Sequence, residues 1–424
     1  MKWKLIYPKW RKLARQTPFH LPPHGAVVFA AEVPGEVELE FLDDNVDELD
    51  CTIDKPDLVA LSIMLTAQLP RAFEIAACYR DRGIPVIAGG IAATLHWEEL
   101  SRHVDSVFLG EVEGRLRRVV GDLASGRLSP VYDYLTDFPP IESVGTARRD
   151  ILNRDRYVYR GVRMLDLVHA SRGCRFNCFP CCTPFLGGRQ FRPRPIERVV
   201  DEINSINNNR LFFVDNSFAQ DRKWQKELFN ALIPLKRKWV SHPIENDDEL
   251  LDLAHRAGCW YVYQAIFDTS DVIRKRVGNY KEHGIAVEGT IILGVDNHDE
   301  DYIKRLVDFL LEIELDVAEF TILTPFPHSS IRDTLDKQGR ILSNNWADYT
   351  CDRVVIEPRN ITSSKLQDMY DYAWDTFYQS ASQEMKMGEL FRKVVKREIE
   401  DGTHKPEAAS GKRRRRGSLQ QGGH

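Results

Sequence analysis

Residues 171–182 read Ser-Arg-Gly-Cys-Arg-Phe-Asn-Cys-Phe-Pro-Cys-Cys, so four of the eight cysteines of the chain fall within nine positions. The spacing is C-x3-C-x2-C through Cys181 or C-x3-C-x3-C through Cys182. Three thiolates on one short loop can hold three irons of an iron–sulfur cube and leave the fourth iron open to a substrate. A compact zinc site usually takes two ligand pairs from separate segments, and no second pair occurs here. The segment therefore predicts a [4Fe-4S] cluster on Cys174, Cys178 and either Cys181 or Cys182.

The cysteine segment follows an apolar run, residues 164–170, which predicts a strand. Five further strands are predicted over 211–214, 239–242, 261–266, 285–293 and 318–323. Helical stretches such as 247–257 and 299–312 separate them. Six such βα units suit a partial (β/α)6 barrel over residues 164–335, which would carry its chemistry at the carboxyl ends of the strands.

The preceding residues 1–140 also alternate between short strands and helices, which predicts an α/β, Rossmann-like domain. The run from Leu58 to Met64 is apolar throughout, as expected of a strand buried on both faces. Gly89-Gly90 and Gly110-Glu111 follow two later strands, where an open parallel sheet holds its ligand crevice. We interpret 141–163 as a linker, 336–401 as a helical region and 402–424 as a disordered tail.

The composition limits the partners and the compartment. The 424 residues carry 58 Lys and Arg against 63 Asp and Glu, and this net charge of −5 argues against a nucleic-acid partner. No apolar run reaches the length of about 18 residues that a membrane span requires. The chain starts without a signal peptide, so we expect a cytoplasmic protein with reduced thiols. The scattered cysteines are then expected to behave as small apolar residues: Cys51, Cys78, Cys259 and Cys351.

The cysteine segment and its surroundings resemble the radical S-adenosylmethionine (SAM) enzymes. Further matching segments are 211–218, 247–259, 289–296 and 323–327. The resemblance implies that the cluster binds and reductively cleaves SAM, producing a 5′-deoxyadenosyl radical. It also implies SAM-binding residues near the strand ends: Asp215, Asn216, Gln264, Asp268, Gly289 and Gly294.

The N-terminal half resembles the cobalamin-binding-type domain that precedes some radical SAM barrels, through Gly89-Gly90, Ala93-Thr94 and residues 110–113. The D-x-H-x-x-G motif, whose histidine ligates cobalt in that family, does not occur in the chain. We therefore expect cobalamin to be absent and the domain to serve a structural or partner-docking role.

The C-x3-C-x3-C alternative, together with the missing histidine motif, resembles the radical SAM diol dehydratases of aminoglycoside biosynthesis. That resemblance implies an aminosugar substrate, a flavodoxin-like electron donor and an NADPH-dependent reductase that acts on the keto product. The alternative function is a cobalamin-dependent radical SAM methyltransferase of natural-product biosynthesis.

Dehydration needs an acid and a base. His242 and Glu245 both follow the predicted third strand of the barrel and are the expected catalytic pair, because both can titrate near neutrality when desolvated.

Overall fold

The computed structural model describes residues 1–13, 15 and 19–404. Its first sheet is parallel, with the strand order β2-β1-β3-β4-β5-β6. The strands are β1 (Lys2–Tyr7), β2 (Glu38–Asp43), β3 (Leu58–Ser62), β4 (Val86–Gly89), β5 (Ser106–Gly110) and β6 (Val131–Tyr134). Helices cover both faces: α1 (His24–Glu32), α2 (Leu69–Arg80), α3 (Ile91–Leu95), α4 (Trp97–Leu100) and α5 (Leu116–Ala124). The predicted Rossmann-like architecture is confirmed, and its chain order reverses between β1 and β3.

The stretch after β6 does not run free between two domains. It contains the hairpin β7 (Val158–Tyr159) and β8 (Val162–Arg163). The Tyr157 hydroxyl donates to the Asp43 carboxylate at 2.9 Å, at the end of β2. Arg154 in the same stretch pairs with Asp166 at 2.7 Å, so residues 141–163 contact the chain on both sides, and their interpretation as a linker stays a prediction.

The second sheet is also parallel and has six strands in the order β16-β15-β14-β13-β12-β9. Its strands are β9 (Asp166–Val168), β12 (Arg210–Phe213), β13 (Lys238–Ser241), β14 (Cys259–Ala265), β15 (Ala286–Leu293) and β16 (Val317–Ile322), with the short ribbon β10 (Ser171–Arg172) and β11 (Arg192–Pro193) after β9. The helices between them are α6 (Thr183–Gly187), α7 (Ile196–Ser205), α8 (Arg222–Leu232), α9 (Asp248–Arg256), α10 (Asp271–Glu282) and α11 (Glu300–Glu312). This arrangement confirms the predicted partial (β/α)6 barrel.

Three further helices follow the barrel: α12 (Arg332–Lys337), α13 (Ser363–Phe377) and α14 (Gln383–Glu400). Helix α14 closes the amino end of the barrel, where Arg210 at the start of β12 pairs with Glu398 at 2.9 Å. Because that end is closed, we expect a substrate to enter from the carboxyl end. The predicted tail lies outside the described residues, apart from 402–404.

Two further predictions concern the scattered cysteines and the lack of a membrane-spanning segment. Cys51 and Cys78 form a disulfide within the first domain, so the expectation that they are separate small apolar residues is wrong. Their pairing closes the loop after β2 onto α2. In the described part of the chain, no helix has the length and apolar character needed to cross a membrane.

Candidate active site

The cysteine loop begins after Gly173, a position where any other residue would be strained. Gly173 has φ +73°, and a Cβ there would lie 2.3 Å from the Gln190 carbonyl oxygen. The backbone therefore turns sharply between the ribbon strand β10 and Cys174. This turn places the loop at the carboxyl end of the barrel, where parallel βα folds carry their ligands.

The four thiols of the loop lie near enough for their charges to interact. Burial raises the pKa of Cys174, and the charges of Cys178 and Cys181 raise it further, while the charge of Cys181 also raises the pKa of Cys182. Cys182 is the residue just before α6, and its sulfur lies 3.8 Å from the Pro327 carbonyl oxygen. Burial raises the pKa of Cys182 to about 11.

The chemistry of the loop's donor set fits an iron–sulfur cluster, although its thiols are spaced more widely than in a coordination shell. Within the described residues, no three His, Cys, Asp or Glu side chains are close enough to hold a metal ion. All four loop cysteines are nevertheless free, and Cys178 and Cys181 are exposed. Thiolates are the ligands of such clusters, and the loop offers them without a competing disulfide.

Asp215 is buried, and its carboxylate is hydrogen-bonded to the strand before the loop. Its carboxylate accepts hydrogen bonds from the Ala170 amide at 3.0 Å and from the Ser171 hydroxyl at 2.5 Å. Burial raises its pKa to about 7, even though these hydrogen bonds act in the opposite direction. Since both oxygens accept hydrogen bonds from the strand that leads into the loop, Asp215 braces that strand, and its role in SAM binding stays a prediction. Its neighbour Asn216 is exposed and accepts from the Thr183 hydroxyl at 3.4 Å, next to Cys181.

The structure separates the predicted acid and base. His242 donates from Nδ1 to the Asp215 carbonyl oxygen at 2.6 Å and lies within the barrel. Burial lowers its pKa, so the ring is neutral and its Nε2 can accept a proton. Glu245 is exposed, and its carboxylate makes no hydrogen bond or ion pair with the described residues. The two side chains therefore face different environments, and their paired catalytic role stays a prediction.

The other predicted cofactor residues also have local structural partners. Asp268 accepts from the Ser270 amide at 2.9 Å, in the turn before α10. The Gln264 amide group donates to the Ala265 carbonyl oxygen at 2.9 Å. A Cβ on Gly289 would lie 2.7 Å from Ile266 and Leu315, so Gly289 faces the helical layer instead of the barrel interior.

Gly294 lies at the strand end, as predicted. It has φ +90°, and a Cβ there would come within 2.6 Å of Leu366 on α13. The residue therefore permits a tight turn and close packing of α13, and its role in cofactor binding stays a prediction.

The barrel interior contains functional candidates that the sequence reasoning missed. Phe212, His242 and Tyr263 form an aromatic cluster with ring centroids 5.4–5.7 Å apart. Deeper in the barrel, the Tyr261 hydroxyl donates to Glu288 at 2.5 Å, and Glu288 is also hydrogen-bonded to Glu319. Burial and the charge of Glu319 raise the pKa of Glu288 well above its usual range. The sequence could have indicated these two glutamates, because charged residues are rare in the middle of buried parallel strands.

The carboxyl edge of the first sheet exposes large apolar side chains. Met64 and Ile91 follow β3 and β4 and are 46% and 48% exposed, which is high for large apolar side chains at a strand end. Gly90 between them has φ +107°, and a Cβ there would lie 2.6 Å from the Ile63 carbonyl oxygen. Such an edge, next to the point where the strand order reverses, is where open α/β sheets bind large planar ligands.

This edge meets the cysteine loop directly. Helix α3 packs against α6, the short helix that follows Cys182. Glu111 and Glu113, just beyond β5, form ion pairs with Arg172 of the ribbon at 2.7 and 2.5 Å. The two carboxyl edges therefore face each other across one interface, with the cysteine loop between them.

Comparison with known proteins agrees with this geometry. Residues 11–120 match the B12 binding domain family. The bacteriochlorophyllide d C-12(1)-methyltransferase of Chlorobaculum tepidum is 24% identical over 87% of this chain and 85% of its own length. An uncharacterized methyltransferase of Pyrococcus horikoshii is 24% identical over 84% of this chain and 88% of its own.

A solved structure shares the fold of nearly the whole chain. It is the radical SAM methyltransferase TsrM from Kitasatospora setae with cobalamin and a [4Fe-4S] cluster bound, with a TM-score of 0.65 and 17% identity over 88% of this chain and 85% of that one. The fold thus combines a B12-binding type of domain with a radical SAM type of barrel.

These matches bear on the expected absence of cobalamin and on the choice between a dehydratase and a methyltransferase. The expectation that cobalamin is absent is contradicted by the B12 binding domain match over 11–120 and by the fold of a cobalamin-loaded relative. The absence of D-x-H-x-x-G excludes one mode of cobalt ligation and does not exclude the cofactor. The relatives described are methyltransferases, so they support the methyltransferase alternative better than the aminosugar dehydratase.

Proposed function

We propose that the protein is a cobalamin-dependent radical SAM methyltransferase. The observation that carries the proposal is the meeting of the two carboxyl edges, one with a B12-binding type of surface and the other with the cysteine loop. A methyl donor and a methyl carrier held at one interface can act on the same substrate without diffusion between sites.

The chain supplies the binding groups. Cys174, Cys178 and Cys181 would hold the cluster, since the sulfur of the alternative ligand Cys182 lies 3.8 Å from the Pro327 carbonyl oxygen, whereas Cys181 is exposed. Met64, Ile91 and the Gly90 backbone would hold the corrinoid. When bound, the cluster supplies an electron to SAM, and the corrinoid carries the methyl group that is transferred.

The barrel interior would orient the substrate. Phe212 and Tyr263 offer flat apolar surfaces, and the Nε2 of His242 can accept a proton or a hydrogen bond. Glu288 and Glu319 add carboxyl groups that suit a substrate with hydrogen-bond donors or an amine. An aminosugar therefore stays one prediction among amine-bearing substrates. A flavodoxin-like electron donor remains a prediction as well. The NADPH-dependent reductase was expected only for the keto product of a dehydratase, so it is not part of this proposal.

The proposal is tested by following the methyl group. Anaerobically reconstituted protein is loaded with hydroxocobalamin and incubated with a reductant and SAM carrying a ¹³C-labelled methyl group. We expect the label to enter the corrinoid fraction, and the Cys174→Ala variant to lose 5′-deoxyadenosine formation. The matched control is Cys351→Ala, a cysteine outside the loop, which should behave like the wild type. Formation of 5′-deoxyadenosine without any methyl transfer would refute the methyltransferase and favour a hydrogen-abstracting enzyme of another kind.

A further inference from the structure

Two arginines occupy directly opposed positions at the start of the cysteine loop. Arg172 and Arg192 are cross-strand partners in the antiparallel ribbon of β10 and β11. Like charges in that arrangement repel each other unless an anion lies between them. The ribbon is therefore built around a negative charge that it does not itself provide.

The first domain provides this charge. Glu111 pairs with both arginines, accepting from Arg172 at 2.7 Å and from Arg192 through both terminal nitrogens. Glu113 accepts from Arg172 at 2.5 Å and is 2% exposed. Burial raises the pKa of Glu111, but the hydrogen bond from Arg192 and the charge of Arg172 outweigh it, so the pKa is lowered and the carboxylate stays ionised.

The backbone on both sides of this network turns at a glycine. Gly110, just before Glu111, has φ +91°, and a Cβ there would lie 2.5 Å from the Tyr134 carbonyl oxygen. Gly173, just after Arg172, has φ +73°, and a Cβ there would lie 2.3 Å from the Gln190 carbonyl oxygen. The ion pairs therefore join two turns that require glycine, one next to the carboxyl edge of the first sheet and one next to Cys174.

We propose that Arg172, Glu111 and Glu113 are positioning residues that set the separation between the corrinoid and the iron–sulfur cluster. The inference rests on the proposed function and adds to it a specific mechanical link between the two cofactor sites. Methyl transfer requires near-contact geometry, so a shift of about 1 Å at this link should reduce the rate by about 10²-fold. Neither cofactor touches these side chains in the proposal, so cofactor content should not change with them.

The test measures the separation itself. Protein loaded with hydroxocobalamin and cluster is reduced, and the magnetic dipolar coupling between Co(II) and the reduced cluster is recorded by electron paramagnetic resonance. In Glu111→Gln and Glu113→Gln we expect wild-type iron and corrinoid content, an altered coupling and methyl transfer lowered by about 10²-fold. The control is Glu36→Gln, which removes the exposed 3.1 Å ion pair to Arg117 in the same domain and should leave all three readings unchanged.

The possible outcomes separate the two proposals. Wild-type coupling in both glutamine variants overturns the inference and leaves the methyltransferase standing. A wild-type protein that binds no corrinoid overturns the proposed function and the inference with it. If either glutamine variant fails to fold, Arg172→Lys decides, because a lysine keeps the charge but cannot reach both carboxylates in the fork geometry of a guanidinium. An unchanged coupling in Arg172→Lys likewise overturns the inference.

Discussion

Replacing Asp215 by alanine tests whether this residue braces the cysteine loop or binds SAM. The carboxylate is buried and accepts from the Ala170 amide and the Ser171 hydroxyl. Asp215→Ala leaves both donors buried without a partner, and each unsatisfied donor costs about 1–3 kcal/mol. We therefore expect the free energy of unfolding to fall by about 2–6 kcal/mol, with a smaller loss for Asp215→Asn, which keeps one acceptor.

The assay combines urea denaturation of the apoprotein with iron content after reconstitution. Because residues 170 and 171 lead directly into the cysteine loop, cluster loading should fall together with stability in Asp215→Ala. Asn216→Ala is the matched control, since this exposed neighbour makes only a 3.4 Å contact and should change stability by less than about 0.5 kcal/mol. Unchanged stability and iron content in Asp215→Ala, combined with weaker SAM binding by equilibrium dialysis, would refute the bracing role and restore the SAM-binding one.

Three other perturbations probe the loop and its support. Burial raises the pKa of Asp215 from 3.8 to about 7, so its contribution to stability is full below about pH 4, falls between about pH 4 and pH 7 and does not change further above; urea midpoints of the wild type should fall over that window, and those of Asp215→Asn should be flatter. Gly173→Ala forces a side chain into a left-handed conformation, costing about 1–2 kcal/mol before the clash with Gln190 is counted, and should lower iron content; normal loading would contradict the argument. Cys181→Ser should lose the cluster absorbance and Cys182→Ser should keep it, and the reverse result would favour the C-x3-C-x3-C spacing.

The architecture could be predicted from apolar runs. The run from Leu58 to Met64 contains the strand Leu58–Ser62, and the run 285–293 contains Ala286–Leu293. Helix α1 was missed because His24–Glu32 is apolar on nearly every face and shows no helical periodicity. The disulfide was missed because a pairing of Cys51 with Cys78 cannot be deduced from spacing.

The site was harder to predict because a polar residue at a strand end can serve either the fold or a ligand. Asp215 and Asp268 satisfy backbone amides, whereas Glu288 and Glu319 lie inside the barrel and were not singled out. The sequence places such residues near the site, but only tertiary contacts show which of them are already occupied. Cobalamin was predicted to be absent because one histidine motif is missing, although a corrinoid can be held by apolar surface and backbone alone.

The most direct test of the account is corrinoid binding by the purified protein. The chain is mixed with excess hydroxocobalamin under anaerobic conditions, separated from free corrinoid by gel filtration and examined by absorbance and iron analysis. The account predicts an equimolar amount of corrinoid that stays with the chain in the wild type and in Cys174→Ala, because the corrinoid surface belongs to the first domain. Retention of the cluster without any corrinoid would contradict the central claim that both cofactors meet at one interface.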